Sequence, residues 1–227
     1  GRELAYRLVK LNPTNPDDIY KIATVCCENK LHAEAFALFS KLEGEFSYDT
    51  TVLYFKAISA YNSRHYDESF ASFDKLLTIN PDAVVARYYM RRARENIDSG
   101  KEEEFGYFYR LPQELRESSL EFLSSYYRLP KRSAKRLAKD VNVLECIKWC
   151  FDETENSDDN QLHYVAAMCA VKAGYDDYLR GLLLDAFISD SLKIAVLHDI
   201  CERNEDNQFG VVICNIYKCV DIYALNI

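Results

Sequence analysis

Residues 66–81 read Tyr66-Asp67-Glu68-Ser69-Phe70-Ala71-Ser72-Phe73-Asp74-Lys75-Leu76-Leu77-Thr78-Ile79-Asn80-Pro81. A shift of 34 residues lays this stretch on the one before it. Ala35 then falls on Ser69, Phe39 on Phe73 and Leu42 on Leu76. Upstream, Ala23 falls on Ala57, Tyr20 on Tyr54, and Tyr54 on Tyr88. Such a period describes a helix, a turn and a second helix. Two antiparallel helices approach closely only where one offers a small side chain. Ala23 with Ala35, and Ala57 with Ser69, are the expected approaches. Phe39 and Phe73 fill the space toward the next helix. Pro81 stops the second helix, because proline cannot donate the next helical hydrogen bond.

On these residues the chain resembles the tetratricopeptide repeat (TPR) family. Repeat 16–49 resembles it at Ala23, Ala35 and Phe39, and repeat 50–83 at Ala57, Ser69, Phe73 and Pro81. The resemblance implies an all-α fold, an α–α superhelix built of stacked helical pairs. Residues 1–13, with Leu4, Ala5, Leu8, Val9 and Pro13, read as the second half of a repeat whose first helix is missing. Since the chain also opens with Gly rather than Met, we expect a fragment of a longer protein. Forward, the register fades. Residues 84–98 make a good first helix, but Arg91 stands where the small residue belongs, and Lys101-Glu102-Glu103-Glu104 follows where a partner helix is due.

Residues 1–110 are therefore expected to be TPR repeats, and 111–227 an irregular TPR-like or HEAT-like helical region packing on or continuing the array. Helices are expected at 112–127, 130–139, 141–152, 159–173, 175–187, 190–203 and 207–224, with Asp140, Asp158, Ser189 or Asp190, and Asp206 as caps. Within 159–192, Leu162, Ala166, Cys169, Tyr175 and Leu182 fall where a repeat places its core, but Tyr178 is too bulky for the small position. The acidic stretch 152–160 is the best linker. The last helix carries Phe209, Val212, Ile213, Ile216, Tyr217, Val220, Tyr223 and Ala224 at helical spacing.

Composition narrows the function. Hydrophobic residues make up 48% of the 227, so a core can form. Seven Gly and five Pro favour long helices with short joints. No apolar run approaches the ~18 residues of a membrane span. The eight Cys are dispersed, which fits a reducing, cytoplasmic setting better than a disulfide framework. With a formal charge of −8 the chain is not steered toward phosphate backbones, so nucleic acid is disfavoured as a partner. A local basic stripe, Arg128, Lys131, Arg132, Lys135, Arg136 and Lys139, could meet phosphate or an acidic segment; a solvated face is the plainer reading.

The resemblance implies that first helices line a concave surface. Its positions are Tyr20, Lys21 and Thr24; Tyr54, Phe55 and Ile58; and Tyr88, Tyr89 and Arg92, with Asp17, Thr51, Tyr61 and Asn62 beside them. Tyr20, Tyr54 and Tyr88 form a ladder that could grip a peptide, or could pack between repeats or beneath the chain's own later residues. The Lys and Asn that other TPR proteins use to clamp a C-terminal carboxylate are replaced by Tyr20, Thr24, Phe55, Ile58, Val85 and Tyr89.

Cys146 and Cys150, His163 and Cys169, and His198 and Cys201 lack the tight pairing of a structural zinc site. No P-loop, dinucleotide fingerprint, nucleophile elbow or H-E-x-x-H is found. The expected function is non-catalytic binding of a peptide or partner protein, with no metal or cofactor. Alternatives are the peptide-sensing half of a larger regulator, such as a transcription regulator, or an accessory region of a multidomain enzyme.

Overall fold

A computed structural model of the chain describes residues 1–140, 142–152, 160–201 and 208–221. Twelve helices and one two-stranded hairpin are described, and the chain divides into two units, Gly1–Arg110 and Leu111–Ile227. The fold is all-α, a helical-repeat architecture with a small hairpin near its end.

The first unit holds α1 (Arg2–Lys10), α2 (Pro16–Glu28), α3 (His32–Glu45), α4 (Thr50–Asn62), α5 (Tyr66–Ile79) and α6 (Val84–Ser99). Its 34-residue repeat is written into the backbone as well as the side chains. Asn15 and Asp49 each cap a first helix by accepting backbone N–H bonds, from Asp17 and from Thr51 and Val52 respectively. Lys30 and Arg64 each turn the chain through the left-handed region, at φ 56° and 67°. The next residues, Leu31 and His65, then donate back to Cys26 and Ala60 at 2.9 and 2.8 Å. At the ends of the second helices Phe46 donates to Leu42 and Asn80 to Leu76, both at 2.8 Å.

Small residues stand where these helices meet. Ala23, Ala35, Ala57 and Ser69 are wholly buried. Ser69 Oγ donates to the Ala57 carbonyl at 2.8 Å, so α5 lies directly against the backbone of α4. Phe39 and Phe73 are buried, Phe39 toward the following helix and Phe73 toward the preceding one. Phe39 stacks with Phe55 of α4, and Phe73 meets Tyr54 edge-on. α6 has no second helix, and Lys101–Arg110 follows it without regular structure.

The second unit holds α7 (Gln113–Arg128), α8 (Lys131–Asp140), α9 (Val143–Asp152), α10 (Asn160–Ala173), α11 (Asp176–Leu184) and α12 (Asp190–Cys201). α10 is central and packs against all five of the others, which its small buried Ala166, Ala167 and Ala170 permit. Between α10 and α11, Gly174 takes φ 81° and Tyr175 donates back to Ala170, the same turn that joins the pairs of the first unit. Lys172 caps the end of α7 by donating to the carbonyls of Tyr127 and Leu129. Asn142 accepts from the start of α9 and Ser189 caps α12, while the Asp140 side chain lies outside what is described. Of the remaining expected caps, Asp158 and Asp206 lie outside the described residues, as does most of the expected linker.

The expected helix over 207–224 is overturned. Its described part is an antiparallel hairpin, β1 (Gln208–Ile213) and β2 (Ile216–Asp221), with Ile213 opposite Ile216. The two turn residues, Cys214 and Asn215, both take positive φ, 52° and 59°, as a two-residue hairpin turn demands. Phe209 and Val211 alternate into the core, where β1 packs on α11 and α12. The stretch is so densely apolar and β-branched that both periods fit it, and turn chemistry with tertiary packing decided between them.

Ala35→Leu should destabilise the protein by about 1–3 kcal/mol, because α2 and α3 have no room for the added methylenes. Guanidinium unfolding followed by circular dichroism checks this against Ala71→Leu on the exposed face of α5, expected within about 0.5 kcal/mol of wild type.

Candidate functional site

The candidate groove is the inner face of α2, α4 and α6, and the chain's own residues Lys101–Arg110 lie in it as a strap. Phe105 is the anchor, 2% exposed. Its ring stacks on Tyr61 at 4.2 Å with a 9° interplanar angle, and meets Tyr89 edge-on at 5.1 Å. The Asn62 carboxamide holds the Phe105 backbone from both sides. Nδ2 donates to the Phe105 carbonyl and Oδ1 accepts from its N–H, both at 2.9 Å. Further along, the Tyr54 hydroxyl donates to the Phe108 carbonyl at 2.8 Å and the Tyr89 hydroxyl to the Arg110 carbonyl at 3.2 Å.

Charge fixes the front of the strap. Glu102 pairs with Arg64 at 2.7 Å, Glu103 with Arg92 at 3.0 Å, and Glu104 with Lys30 at 3.0 Å. Asn96 donates to both Glu103 and the Tyr61 hydroxyl. Burial raises the Glu103 carboxyl, but the bond from Asn96 and the Arg92 charge outweigh it and hold the group below the usual carboxylate range. At the far side of the turn, Tyr107 stacks on His32 and its hydroxyl lies 2.7 Å from His32 Nδ1. Burial lowers the His32 pKa, and neighbouring Lys30 adds to this; Glu104 opposes it.

The expected groove residues divide on this geometry. Tyr54 and Ile58 are wholly buried and Tyr89 nearly so. Tyr88 and Phe55 are half-buried, and Arg92 is engaged by Glu103. Tyr20, Lys21 and Thr24 are exposed. Of the ladder, Tyr20 is 37% exposed and Tyr54 not at all. A cavity of about 700 Å³ stays open between the strap and the start of the array, with Tyr20, Thr24, Cys27, Phe39, Phe55 and Phe108 among its walls. The strap was not legible in the sequence. Its one signal is the aromatic run Phe105-Gly106-Tyr107-Phe108-Tyr109 directly after three glutamates.

The remaining candidates serve as packing or surface. Cys150 donates to the Cys146 carbonyl, His163 Nε2 lies 3.0 Å from the Cys150 carbonyl, and Cys169 points at the Leu123 carbonyl. Burial pushes the Cys169 thiol up to about 12. The Cys201 side chain lies outside what is described. Arg128, Lys131, Arg132, Lys135, Arg136 and Lys139 are exposed, with Ala134 buried on the other side of α8. No described helix is long and apolar enough to cross a membrane. Comparison of the chain with family models, curated proteins and solved structures finds no match.

Because the folded-state pKa of His32 is depressed, its contribution is fully present above the unfolded value of about 6.5 and is lost as pH falls below that. Hydrogen exchange of the strap amides should therefore speed up between about pH 7.5 and 5.5 relative to those of α3, as imidazole protonates beside Tyr107. In His32→Phe, which keeps a stacking ring and cannot titrate, that change should vanish.

Proposed function

We propose that this chain belongs to the TPR family and is a non-catalytic protein-interaction module, whose first unit takes a peptide against the inner face of α2 and α4. The observation that carries this reading is the strap. The inner face holds an extended chain by the means a peptide site uses: an amide clamp on one peptide unit, tyrosine hydroxyls on carbonyls, and a buried aromatic anchor. Beside it, the open cavity is concave, largely aromatic and edged by a few polar groups, which is the usual character of a binding pocket. It suits an aromatic or aliphatic side chain of a partner.

The groups around that cavity are poorly suited to catalysis. Burial pushes the Cys27 thiol far up, with the Cys26 thiol adding to this, so it stays protonated and a weak nucleophile. His32, outside the cavity walls at the start of α3, is engaged by Tyr107. Cys26, Cys27, Cys146, Cys169, Cys214 and Cys219 are free thiols, in keeping with a cytoplasmic setting.

Peptides selected from a displayed library on the full chain should carry a large apolar side chain. Thr24→Arg, an exposed change that fills the cavity mouth, should weaken them at least about tenfold, or about 1.4 kcal/mol, with an unchanged melting temperature. Selected peptides that bind Thr24→Arg as well as wild type would refute the assignment.

A further inference from the structure

The strap also indicates what chemistry the groove recognises. Three separate positions of the array each meet one acid of a consecutive run: Arg64 with Glu102, Arg92 with Glu103, Lys30 with Glu104. The next residue, Phe105, is the one whose side chain is enclosed, between Tyr61 and Tyr89. Asn62 reads the same residue's backbone, a contact that any amino acid could make. Two residues further on, Tyr107 stacks on His32. The groove is thus complementary to an acidic run followed by aromatic–small–aromatic.

The strap is also built to be exchanged. It has no helix or strand of its own. Two of its three acidic contacts lie largely in water, Glu102 with Arg64 and Glu104 with Lys30, where ion pairs contribute little, while Glu103 with Arg92 is half-buried. Phe108 is 58% exposed, so the trailing aromatics are only partly seated. A segment held this way competes as a tethered ligand and leaves the array's own pairs, α2 with α3 and α4 with α5, packed when it departs.

We propose that the inner groove of the first unit is a recognition site for an extended segment of another protein, an acidic run followed by aromatic–small–aromatic, which binds by displacing residues 101–110. This rests on the interaction reading of the groove and specifies its partner. A tether of this length holds the strap at an effective concentration on the order of millimolar. If the strap's own intrinsic Kd is about 10 μM, any incoming segment is weakened roughly a hundredfold by the occupant.

The probe is a labelled synthetic peptide of sequence Lys101–Arg110, titrated by fluorescence polarisation into three full-length proteins. These are wild type, the triple variant Glu102→Gln, Glu103→Gln and Glu104→Gln, and Phe105→Ala. Both variants should bind the peptide at least about tenfold more tightly than wild type, because each weakens only the tethered competitor. Affinity should fall when the peptide's own Phe is replaced by Ala, and in about 0.5 M salt, which screens its carboxylates. Should Phe105→Ala not fold, the triple variant, which keeps the buried Phe105 anchor and replaces each carboxylate by an amide of the same shape, decides. Binding no tighter than wild type in the folded variants, with an unchanged helical spectrum, overturns displacement. Thr24-dependent selection of library peptides would then still stand, and only the displacement would be lost.

Discussion

Backbone contact between α4 and α5, where Ser69 Oγ reaches the Ala57 carbonyl, is the constraint on which the first unit depends. Helices this close cannot accommodate a larger side chain at either place, and dense packing makes even one added methylene felt. Thirty-four residues earlier, Ala23 and Ala35 are likewise wholly buried in the packed pair α2 and α3. Because both pairs close through the same left-handed turn at Lys30 and Arg64, each leaves its first helix on the same side. The inner face of α2, α4 and α6 is a consequence of that repetition.

A face lined by Tyr54, Ile58, Tyr61 and Tyr89 creates its own difficulty. Left open it would be a large apolar patch, and such patches are associated with binding or with aggregation. The strap covers it, and covering it with irregular backbone raises a second difficulty, since peptide groups removed from water need partners. Asn62, Tyr54 and Tyr89 supply them. One set of polar tips on an aromatic surface thus satisfies the strap's backbone and keeps the face covered. The tyrosines reconcile these roles because a phenol is apolar along its body and polar at its end.

The second unit solves a related difficulty by other means. It gathers its helices around the small residues of α10, and the hairpin covers α11 and α12 with Phe209 and Val211. Arg180 lies over the Phe209 ring at 4.4 Å. Lys193 of α12 reaches the Val212 carbonyl at 2.6 Å, and Asp190 accepts from the Cys214 N–H inside the turn. These polar contacts tie the strands to the helix beneath them.

The helices and pairing of the first unit were legible in the sequence, because small residues and aromatic fillers recur at one fixed spacing and each has a local cause. Most helices of the second unit were legible too, from apolar periodicity. Two features were decided only by the tertiary structure. Residues 208–221 carry apolar side chains that suit either period, and burial of alternate residues against α11 and α12 selected the strand. Residues 101–110 form no regular element, so no periodicity could reveal them. Their place is set by partners far along the chain, Asn62, Tyr61, Arg64 and His32, which come together only once the helical pairs have stacked. Sequence alone thus determined which residues could line a groove. Which of them remain open, and which lie beneath the strap, depended on the fold.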